Sequence, residues 1–537
     1  MKTIIARVAT ASLTVLALSW LVPATQAYIP IRTENENLVR WDLDEQPEEQ
    51  PNIIEGSVEF FVSRRGTPDI ADNGDGTGGE FDILRHAFRA WEEQPATKVD
   101  FNDLKLTDQT AVSGTDQTNL IVFDENNRTG LFPRGTGVIA LTVLTFRHEA
   151  YDGDLDGHLV DADMIFNGRD FTFSENVIPT RMNLMAVAVH EVGHFCGLDH
   201  SFLQTTNPAD DALRLPTMYP FIDFGDDQQA SLDTDDIGGV IELYPDEEVD
   251  ALFNGRISGL VEIDGTAAAG VNVVAYQGET PVVGTVTTMD GTYRIFGVPA
   301  GPYFLRTQII APPFLINSLE ARLDFHSQYF IQDAGIAGLS TDASTVTIAA
   351  GKRRGNLNFD LLPDSVPDFF EPNDSSAQAT LVTPNGGSMI HQFYFPGDED
   401  WVRFIAQGGM IHEVVTNNLD VTADPVLELY APDGSLLAVN DDIHFAAGNL
   451  AARIRFTPAV TGQYSVRITD AANFFGGGTS FEFRVREIGA AALDANGDNA
   501  LDTSDLLLLS RNWRQPAKGG PTATSETLLD LLAVLHR

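Results

Sequence analysis

Two histidines four residues apart constrain this chain more than any other feature of its sequence. On a helix, His190 and His194 lie one turn apart on the same face, where neutral imidazoles can bind one Zn²⁺ at about 2.0–2.1 Å. Glu191 can reach a metal-bound water as general base. Gly197 can adopt a positive φ, end the helix and return His200 as a third ligand. The segment therefore predicts a catalytic zinc site with one open position.

The motif around these histidines extends further than a chance pair of helical histidines would explain. From 190 to 200 the chain reads HExxHxxGxxH, and Met218 follows within the stretch Leu-Pro-Thr-Met-Tyr-Pro at 215–220. Two ordinary helix histidines and a surface glutamate would account for HExxH alone. The long motif occurs together with a later Met-turn in one class of zinc peptidases. The pattern therefore favours a catalytic site over coincidence.

These residues resemble the active site of the metzincin zinc metallopeptidases. Ser201 after the third histidine and Met-Tyr-Pro at the turn are similar to the matrixin branch in particular. The resemblance spans roughly residues 38–245 and implies an α+β catalytic domain with a mixed twisted sheet and three helices. It also implies catalytic zinc, a protein or peptide substrate, and Met218 as an apolar floor beneath the metal. Tyr219 and Pro220 would wall the pocket for the residue after the cut.

The first 27 residues are typical of a signal peptide. Lys2 and Arg7 supply a positive start, residues 9–22 an apolar core, and residues 24–27 a small-residue exit. An uncleaved anchor is the alternative, but the apolar run is short for the roughly 20 residues that a membrane span needs. We therefore expect a secreted protein, extracellular or associated with a cell surface, with no membrane span after signal removal.

Charge and cysteine content exclude two further possibilities. The formal net charge of −44 makes nucleic acid an unsuitable partner, because phosphates would be repelled. Cys196 is the only cysteine, so the chain forms no intramolecular disulfide. It also lies inside the zinc motif itself. Latency through an upstream propeptide cysteine, as in matrixin zymogens, is therefore excluded.

Hydrophobic patterning places the elements of a catalytic domain over residues 28–247. Phe81, Leu84, Phe88 and Trp91 recur at helical spacing. Residues 57–63, 119–123, 137–146 and 161–166 have the composition of strands. By family analogy, 137–146 contains the edge strand that binds an extended substrate through its main chain.

The end of this domain is also marked in the sequence. Asn183 can cap the active-site helix, and residues 232–244 favour a closing helix whose acidic first turn complements the helix dipole. Residues 245–250 have the composition of an acidic linker.

Beyond residue 250 the chain changes to short β-branched runs separated by Gly and Pro, which is typical of all-β sandwiches. Through the sequences Gly-Arg-Ile-Ser-Gly at 255–259, Asp-Gly-Thr-Tyr at 290–293 and Pro-Ala-Gly-Pro-Tyr at 299–303, residues 252–362 resemble the transthyretin-like, carboxypeptidase-regulatory type of module. Residues 365–487 resemble the bacterial pre-peptidase C-terminal domain, through the Glu-Pro-Asn-Asp start at 371–374 and the Gly-Asp-Glu-Asp-Trp sequence at 397–401. The acidic clusters here are consistent either with Ca²⁺ binding or with strand termination.

Residues 489–537 predict a small helical tail with a calcium loop. Six positions match the ligand offsets of such a loop, followed by an apolar helix, and resemble one dockerin-type repeat: Asp494, Asn496, Asp498, Ala500, Asp502 and Asp505. Dockerins have two such repeats and this tail shows only one. The resemblance implies structural Ca²⁺ and a cohesin-like or cell-surface partner.

The sequence thus predicts a multidomain secreted zinc endopeptidase in which Glu191 activates a zinc-bound water. Two alternatives stay open. One is a narrow processing peptidase that acts on a single surface partner. The other is a surface adhesive or scaffold protein with a structural or inactive zinc site, which the large β-rich portion favours.

Overall fold

The computed structural model describes residues 5–14, 28–43, 52–148, 155–201, 203, 205–206, 213–309, 324–332, 338–420, 422–445 and 448–488 of the 537. The elements of its first unit are, in chain order, β1 (Ile5–Thr14), β2 (Ile53–Ile54), β3 (Ser57–Val58), β4 (Phe61–Ser63), α1 (Gly79–Glu92), β5 (Lys105–Thr107), β6 (Leu120–Phe123), β7 (Val138–His148), β8 (Leu159–Phe166), β9 (Phe173–Ser174), β10 (Met182–Asn183), α2 (Leu184–Cys196), β11 (Thr205–Thr206), β12 (Leu213–Arg214), a 3₁₀ turn (Gln228–Ala230) and α3 (Thr234–Leu243).

A mixed sheet organises this unit, in the strand order β1-β7-β8-β6-β4-β5. β4 runs parallel to β5 and β6, and β6 runs parallel to β8. β7 runs antiparallel to β8 and, on its other side, to β1. The mixed sheet expected from the sequence is therefore confirmed.

The stretch 57–63, predicted as one strand, is divided between two sheets. β3 pairs with β2, whereas β4 pairs with β5 and β6. The backbone changes partner between them, because Glu59 N–H donates to the Asn52 carbonyl and Phe61 N–H donates to the Asn119 carbonyl, both at 2.8 Å. The prediction of a single strand was wrong.

Helices α1 and α2 pack against each other over the sheet and enclose the main apolar core. The predicted apolar face of α1 is buried as expected, with Phe81, Leu84, Phe88 and Trp91 each at most 2% exposed. Trp91 donates its indole N–H to the Val189 carbonyl of α2 at 2.9 Å, which satisfies its buried polar atom. This contact fixes α2 in the core.

Helix α2 begins and ends at the residues that the sequence indicated. The Asn183 side chain accepts the Ala186 N–H at 3.0 Å and caps the helix. Gly197, with φ 102°, ends it in the left-handed region. A Cβ there would overlap the Val39 carbonyl oxygen. Both predictions are confirmed, and the glycine turns the chain back towards the helix.

The described residues 28–43, called the N-terminal segment below, pair with this turn. Ile31 N–H donates to the Gly197 carbonyl at 2.8 Å, and Asp199 N–H donates to the Ile29 carbonyl at 2.7 Å. Trp41, 1% exposed, donates its indole N–H to the Phe195 carbonyl at 3.0 Å. The N-terminal segment therefore holds both ends of the turn that carries the chain to His200.

The closing helix is confirmed as α3, which begins with a capping box between Asp233 and Asp236. The predicted acidic linker after it is wrong, because residues 247–253 form helix α4 (Glu247–Phe253). The Asp246 side chain accepts the N–H groups of Glu248 and Val249, each at 3.1 Å. Carboxylates in a first helical turn complement the dipole, so an acidic run suits a helix start as well as a solvated linker.

The second unit consists of two sheets around one apolar core. After α4 come β13 (Asn254–Ile263), β14 (Thr266–Ala267), β15 (Asn272–Gln277), β16 (Thr280–Val286), β17 (Thr292–Pro299), β18 (Gly301–Gln308), a 3₁₀ turn (Ser340–Asp342), β19 (Val346–Ile348), β20 (Arg353–Arg354) and β21 (Phe359–Leu361). β13 pairs with β14, β17, β20 and β21, and the other sheet has the order β16-β15-β18-β19. We call this unit the second sandwich because it is the second unit of the chain, although it precedes the other sandwich, which is the third unit.

The third unit has the same general plan. Its strands are β22 (Thr380–Leu381), β23 (Met389–Gln392), β24 (Asp400–Ala406), β25 (Ile411–Asn417), β26 (Pro425–Tyr430), β27 (Leu436–Asn440), β28 (Arg453–Phe456), β29 (Gly462–Asp470) and β30 (Ser480–Ile488). They form sheets of order β22-β24-β29-β26-β27 and β23-β30-β25-β28 around a further core. The β-rich remainder expected from the sequence is confirmed.

A buried arginine joins the second and third units. Arg306 of β18 is fully buried and donates to the Asn418 carbonyl at 3.0 Å and to the Glu482 carboxylate at 3.2 Å. Asp420 lies 3.7 Å from the same guanidinium. Separating the two units would break these contacts, and a buried charge without its partners is poorly compensated. We therefore expect the two units to move together.

The predicted tail, including all six candidate calcium ligands, lies outside the described residues. Within the described ranges, no helix combines the length and apolar character needed to span a membrane.

Candidate active site

Helix α2 and the turn after it bring the three predicted histidines together. His190, His194 and His200 are 0%, 0% and 4% exposed, and their ring centroids are 4.7–5.3 Å apart. The Nε2 atoms of His190 and His194 are 3.0 Å apart, close to the separation of about 3.3 Å that two nitrogen ligands have on tetrahedral zinc. The predicted constellation therefore exists in space.

Hydrogen bonds orient two of these rings. His190 Nδ1 donates to the Thr217 carbonyl at 2.7 Å, and His194 Nδ1 donates to the Leu198 carbonyl at 2.8 Å. With the proton held on Nδ1, each Nε2 presents a lone pair. Burial lowers the pKa of His190 well below its usual range and that of His194 to about 4. Neutral imidazoles with converging lone pairs are the donor set that Zn²⁺ requires, so the residues fit the metal.

Glu191 lies beside the triad and is fully buried. The Thr142 hydroxyl of β7 donates to its Oε2 at 2.5 Å. A purely structural metal site needs no carboxylate next to its ligands, so a buried and positioned Glu191 favours a catalytic site over a structural one. Thr142 was not singled out from the sequence, because it lies on a strand 49 residues away from Glu191. The only signal for it in the sequence is its position in the side-chain alternation of β7, which points it inward.

Removing the Thr142 hydroxyl tests whether it positions Glu191. We expect Thr142→Val to lower kcat about tenfold to a hundredfold, because a hydrogen bond to a charged group stabilises it by about 1.5–3 kcal/mol. Zinc content should not change. Thr145→Val is the matched control, since it removes a hydroxyl that is equally buried on the same strand. Equal rates for the two variants would assign Thr142 a packing role only.

Met218 packs against the active-site helix at Gly193, and its role as an apolar floor beneath the metal stays a prediction. It is fully buried, and a Cβ added at Gly193 would overlap its sulfur and approach the Trp91 ring. Glycine is therefore favoured at the second x of the HExxH motif in this chain. The close approach brings the Met-turn against the first two ligands.

Asp236 of α3 anchors the Met-turn. Its carboxylate accepts the N–H groups of Thr217 at 2.9 Å and Met218 at 3.1 Å, and Thr217 in turn accepts the Nδ1 proton of His190. Burial raises the pKa of Asp236 to about 7. Sequence reasoning placed this aspartate only in an acidic first turn and missed its connection to a zinc ligand.

The predicted pocket residues follow directly after Met218. Tyr219 is 4% exposed, its ring makes an edge contact with Phe221 at 5.9 Å, and its side chain belongs to the core cluster of the second sandwich. Pro220 is also buried. Both residues directly follow Met218 in the chain, and their role as pocket walls stays a prediction.

Three other groups of side chains in the described residues could hold an ion, all in the third unit. In the group formed by Glu371, Asp374 and Asp398, Asp398 is only 4% exposed. Its Oδ1 has no hydrogen-bond partner among the described residues. Burial and neighbouring Asp400 raise the pKa of Asp398 to about 8. A buried carboxylate oxygen of this kind favours a bound cation over simple strand termination.

Residues 71–245 match the family model of the matrixins, peptidase family M10. The match includes the histidine triad, Glu191 and Met218, and it indicates a metalloprotease. No curated protein matches the chain at a significant level.

Among solved structures, the chain is similar to the pre-peptidase C-terminal domain of a collagenase from Bacillus anthracis, at 17% identity over 20% of this chain and 94% of that one, with a TM-score of 0.16. A periplasmic lysozyme inhibitor, PliG of Aeromonas hydrophila, shows 14% identity over 20% and 97%, with a TM-score of 0.16. The major pilin subunit BcpA of Bacillus cereus shows 13% over 44% and 69%, with a TM-score of 0.13.

Proposed function

We propose that this protein is a secreted zinc-dependent endopeptidase. The observation that carries the proposal is the convergence of His190, His194 and His200 in the core, with buried Glu191 beside them. Zinc, when bound, polarises the scissile carbonyl and lowers the pKa of a water molecule towards neutrality.

The chain's own residues supply the proton transfers. Glu191 takes a proton from the attacking water while the water oxygen forms a bond to the carbonyl carbon. It then delivers that proton to the amide nitrogen as the C–N bond breaks. Thr142 holds the carboxylate in place through its hydroxyl. Met218 excludes water beneath the triad, and Tyr219 and Pro220 wall the pocket for the residue after the cut.

Strand β7 is proposed to bind the substrate as an added antiparallel strand. In the described chain β1 takes this position, with Ile5 to Thr14 paired along Val138 to His148. Removal of a signal peptide would expose the edge. Main-chain pairing of this kind gives affinity with little sequence selectivity, which favours a protein substrate over a single small peptide.

The organisation of the full chain is part of the proposal. We assign residues 1–27 to a signal peptide, 28–247 to the peptidase, 252–362 and 365–487 to the two sandwiches, and 489–537 to a dockerin-like tail that meets a cohesin-like or cell-surface partner. The adhesive or scaffold alternative is supported by the extent of the β units. Against it stands Glu191, because adhesion gives no reason to bury a carboxylate beside three metal ligands.

Zinc content and protein cleavage test the proposal directly. We expect purified 28–537 to contain about one zinc per chain and to cleave casein, and a chelator to stop cleavage until zinc is restored. Zinc without cleavage of casein or of a proteome-derived peptide library would reject the endopeptidase in favour of the scaffold. Cleavage of one peptide from the library, with casein intact, would identify the narrow processing enzyme.

Structural calcium is proposed at the tail loop and at the group around Asp398. We expect Ca²⁺ to raise the Tm of the unaltered protein and to raise it less in Asp398→Asn. The calcium concentration at half effect should increase from pH 8 to pH 6, because protons and Ca²⁺ compete for a carboxylate with a pKa of about 8. Asp433→Asn, on an exposed turn of the same unit, is the control, and an equal response in both variants would remove calcium from this group.

A further inference from the structure

Described residues between the third histidine and the end of the Met-turn lie against the second sandwich. Leu203, three residues after His200, is 5% exposed and packs with Val274 and Tyr276 of β15. These two side chains project from the face of β15 opposite to Val273 and Ala275, which belong to the core of the sandwich. β11 also contacts β16 of the same sheet. Part of the outer face of this sheet is therefore covered by the peptidase.

The far end of the same chain segment enters the core of the sandwich. Tyr219 belongs to the cluster that contains Val283 and Ile295, and Leu215 and Phe221 pack against it. Tyr219, one of the two proposed pocket walls, is thus packed against side chains of another unit. A wall built in this way is held in place more firmly than a surface loop.

Hydrogen bonds of one buried carboxylate and a close approach of two glycines fix the distance between the two units. Asp235, 1% exposed, accepts the Ser201 hydroxyl at 2.6 Å and the Gly284 N–H of β16 at 3.1 Å. It therefore links the residue after the third histidine to the sandwich. Gly238 of α3 approaches Gly297 of β17 so closely that a Cβ on Gly297 would lie 2.8 Å from the Gly238 Cα.

From these contacts we propose that the second sandwich is part of the substrate-binding apparatus. By clamping Leu203 and Tyr219 it sets the shape of the pocket for the residue after the cut, and so determines selectivity there. The inference rests on the proposed endopeptidase function. It assigns specificity-determining positions to both units, namely Leu203 in the peptidase and Val274 and Tyr276 in the second sandwich.

The test compares two neighbouring valines. Val274→Ala removes the same atoms from β15 as Val273→Ala, and both side chains are fully buried. Val274 belongs to the cluster that contains Leu203, whereas Val273 belongs to the core of the sandwich. The readout is the ratio of kcat/KM for two peptides that differ only in the residue after the cut, one small and one large. We expect Val274→Ala and Leu203→Ala each to change this ratio about threefold to thirtyfold, and the double variant to show less than the product.

Val273→Ala should leave the ratio within about twofold while lowering the Tm, as expected for a core truncation. Peptides that differ only before the cut should give unchanged ratios in all variants. If Val274→Ala lowers the Tm and total activity but keeps the ratio of the unaltered protein, the sandwich is only a support and the inference is wrong. Complete inactivity of the zinc-loaded, unaltered protein would instead reject the endopeptidase itself.

Discussion

The Glu191→Gln protein is expected to retain its zinc and to cleave peptides about 10²–10⁴-fold more slowly than the unaltered protein. The amide has nearly the same shape as the carboxylate but cannot accept a proton from water or return it to the leaving amine. The Thr142 hydroxyl, which donates to Oε2, can still donate to the amide oxygen. The fold around the triad should therefore persist.

Zinc analysis beside single-turnover kinetics checks this expectation. Glu175→Gln is the control, because Glu175 is exposed and lies outside the site. A Glu191→Gln protein that binds zinc and cleaves at an unchanged rate would show that another group moves the proton. Loss of both zinc and cleavage would assign Glu191 to metal binding.

The second large effect is expected at the third ligand. His200→Ala should weaken zinc binding by at least about a hundredfold, beyond the ten- to hundredfold typical of groups that only orient a ligand. Two histidines on α2 remain. The backbone N–H of residue 200, which alanine retains, still donates to the Asp199 carboxylate. The turn should therefore keep its shape while cleavage at limiting zinc disappears.

Competition with a chromophoric zinc chelator measures this loss. His86→Ala serves as the control, since His86 is an exposed histidine of α1. Unchanged zinc affinity in His200→Ala would remove this residue from the ligand set. Excess zinc should restore part of the activity, since the remaining ligands keep their orientation through Thr217 and Leu198.

Those parts of the site that depend on local geometry could be predicted from the sequence. The spacing of His190, His194 and Glu191 acts within one helix, and Gly197 acts within one turn. Asn183 caps the same helix three residues from its partner. Each of these relations involves neighbours in the chain, and each is found in the structure.

The parts that sequence reasoning missed depend on distant contacts. Thr142 reaches Glu191 from another strand, and Asp236 reaches the Met-turn from 18 residues away. Neither contact has a periodic signal, because one hydroxyl on a strand and one acid in a helix start look like many others. The division of β3 from β4 and the formation of α4 also depend on partners that a local reading does not supply.

The N-terminal segment has a consequence for the order in which the protein is assembled. In a chain that ends before Tyr244, the backbone N–H of Trp41 lacks its partner, because it donates to the Tyr244 hydroxyl, 203 residues later. The same hydroxyl donates to the Cys196 carbonyl at 2.6 Å, beside the metal ligands. Trp41 and Tyr244, near the two ends of this unit, thus meet at one point, and contacts of such large sequence separation are slow to form. During synthesis, the turn that carries His200 therefore gains its last contacts only after Tyr244 has emerged.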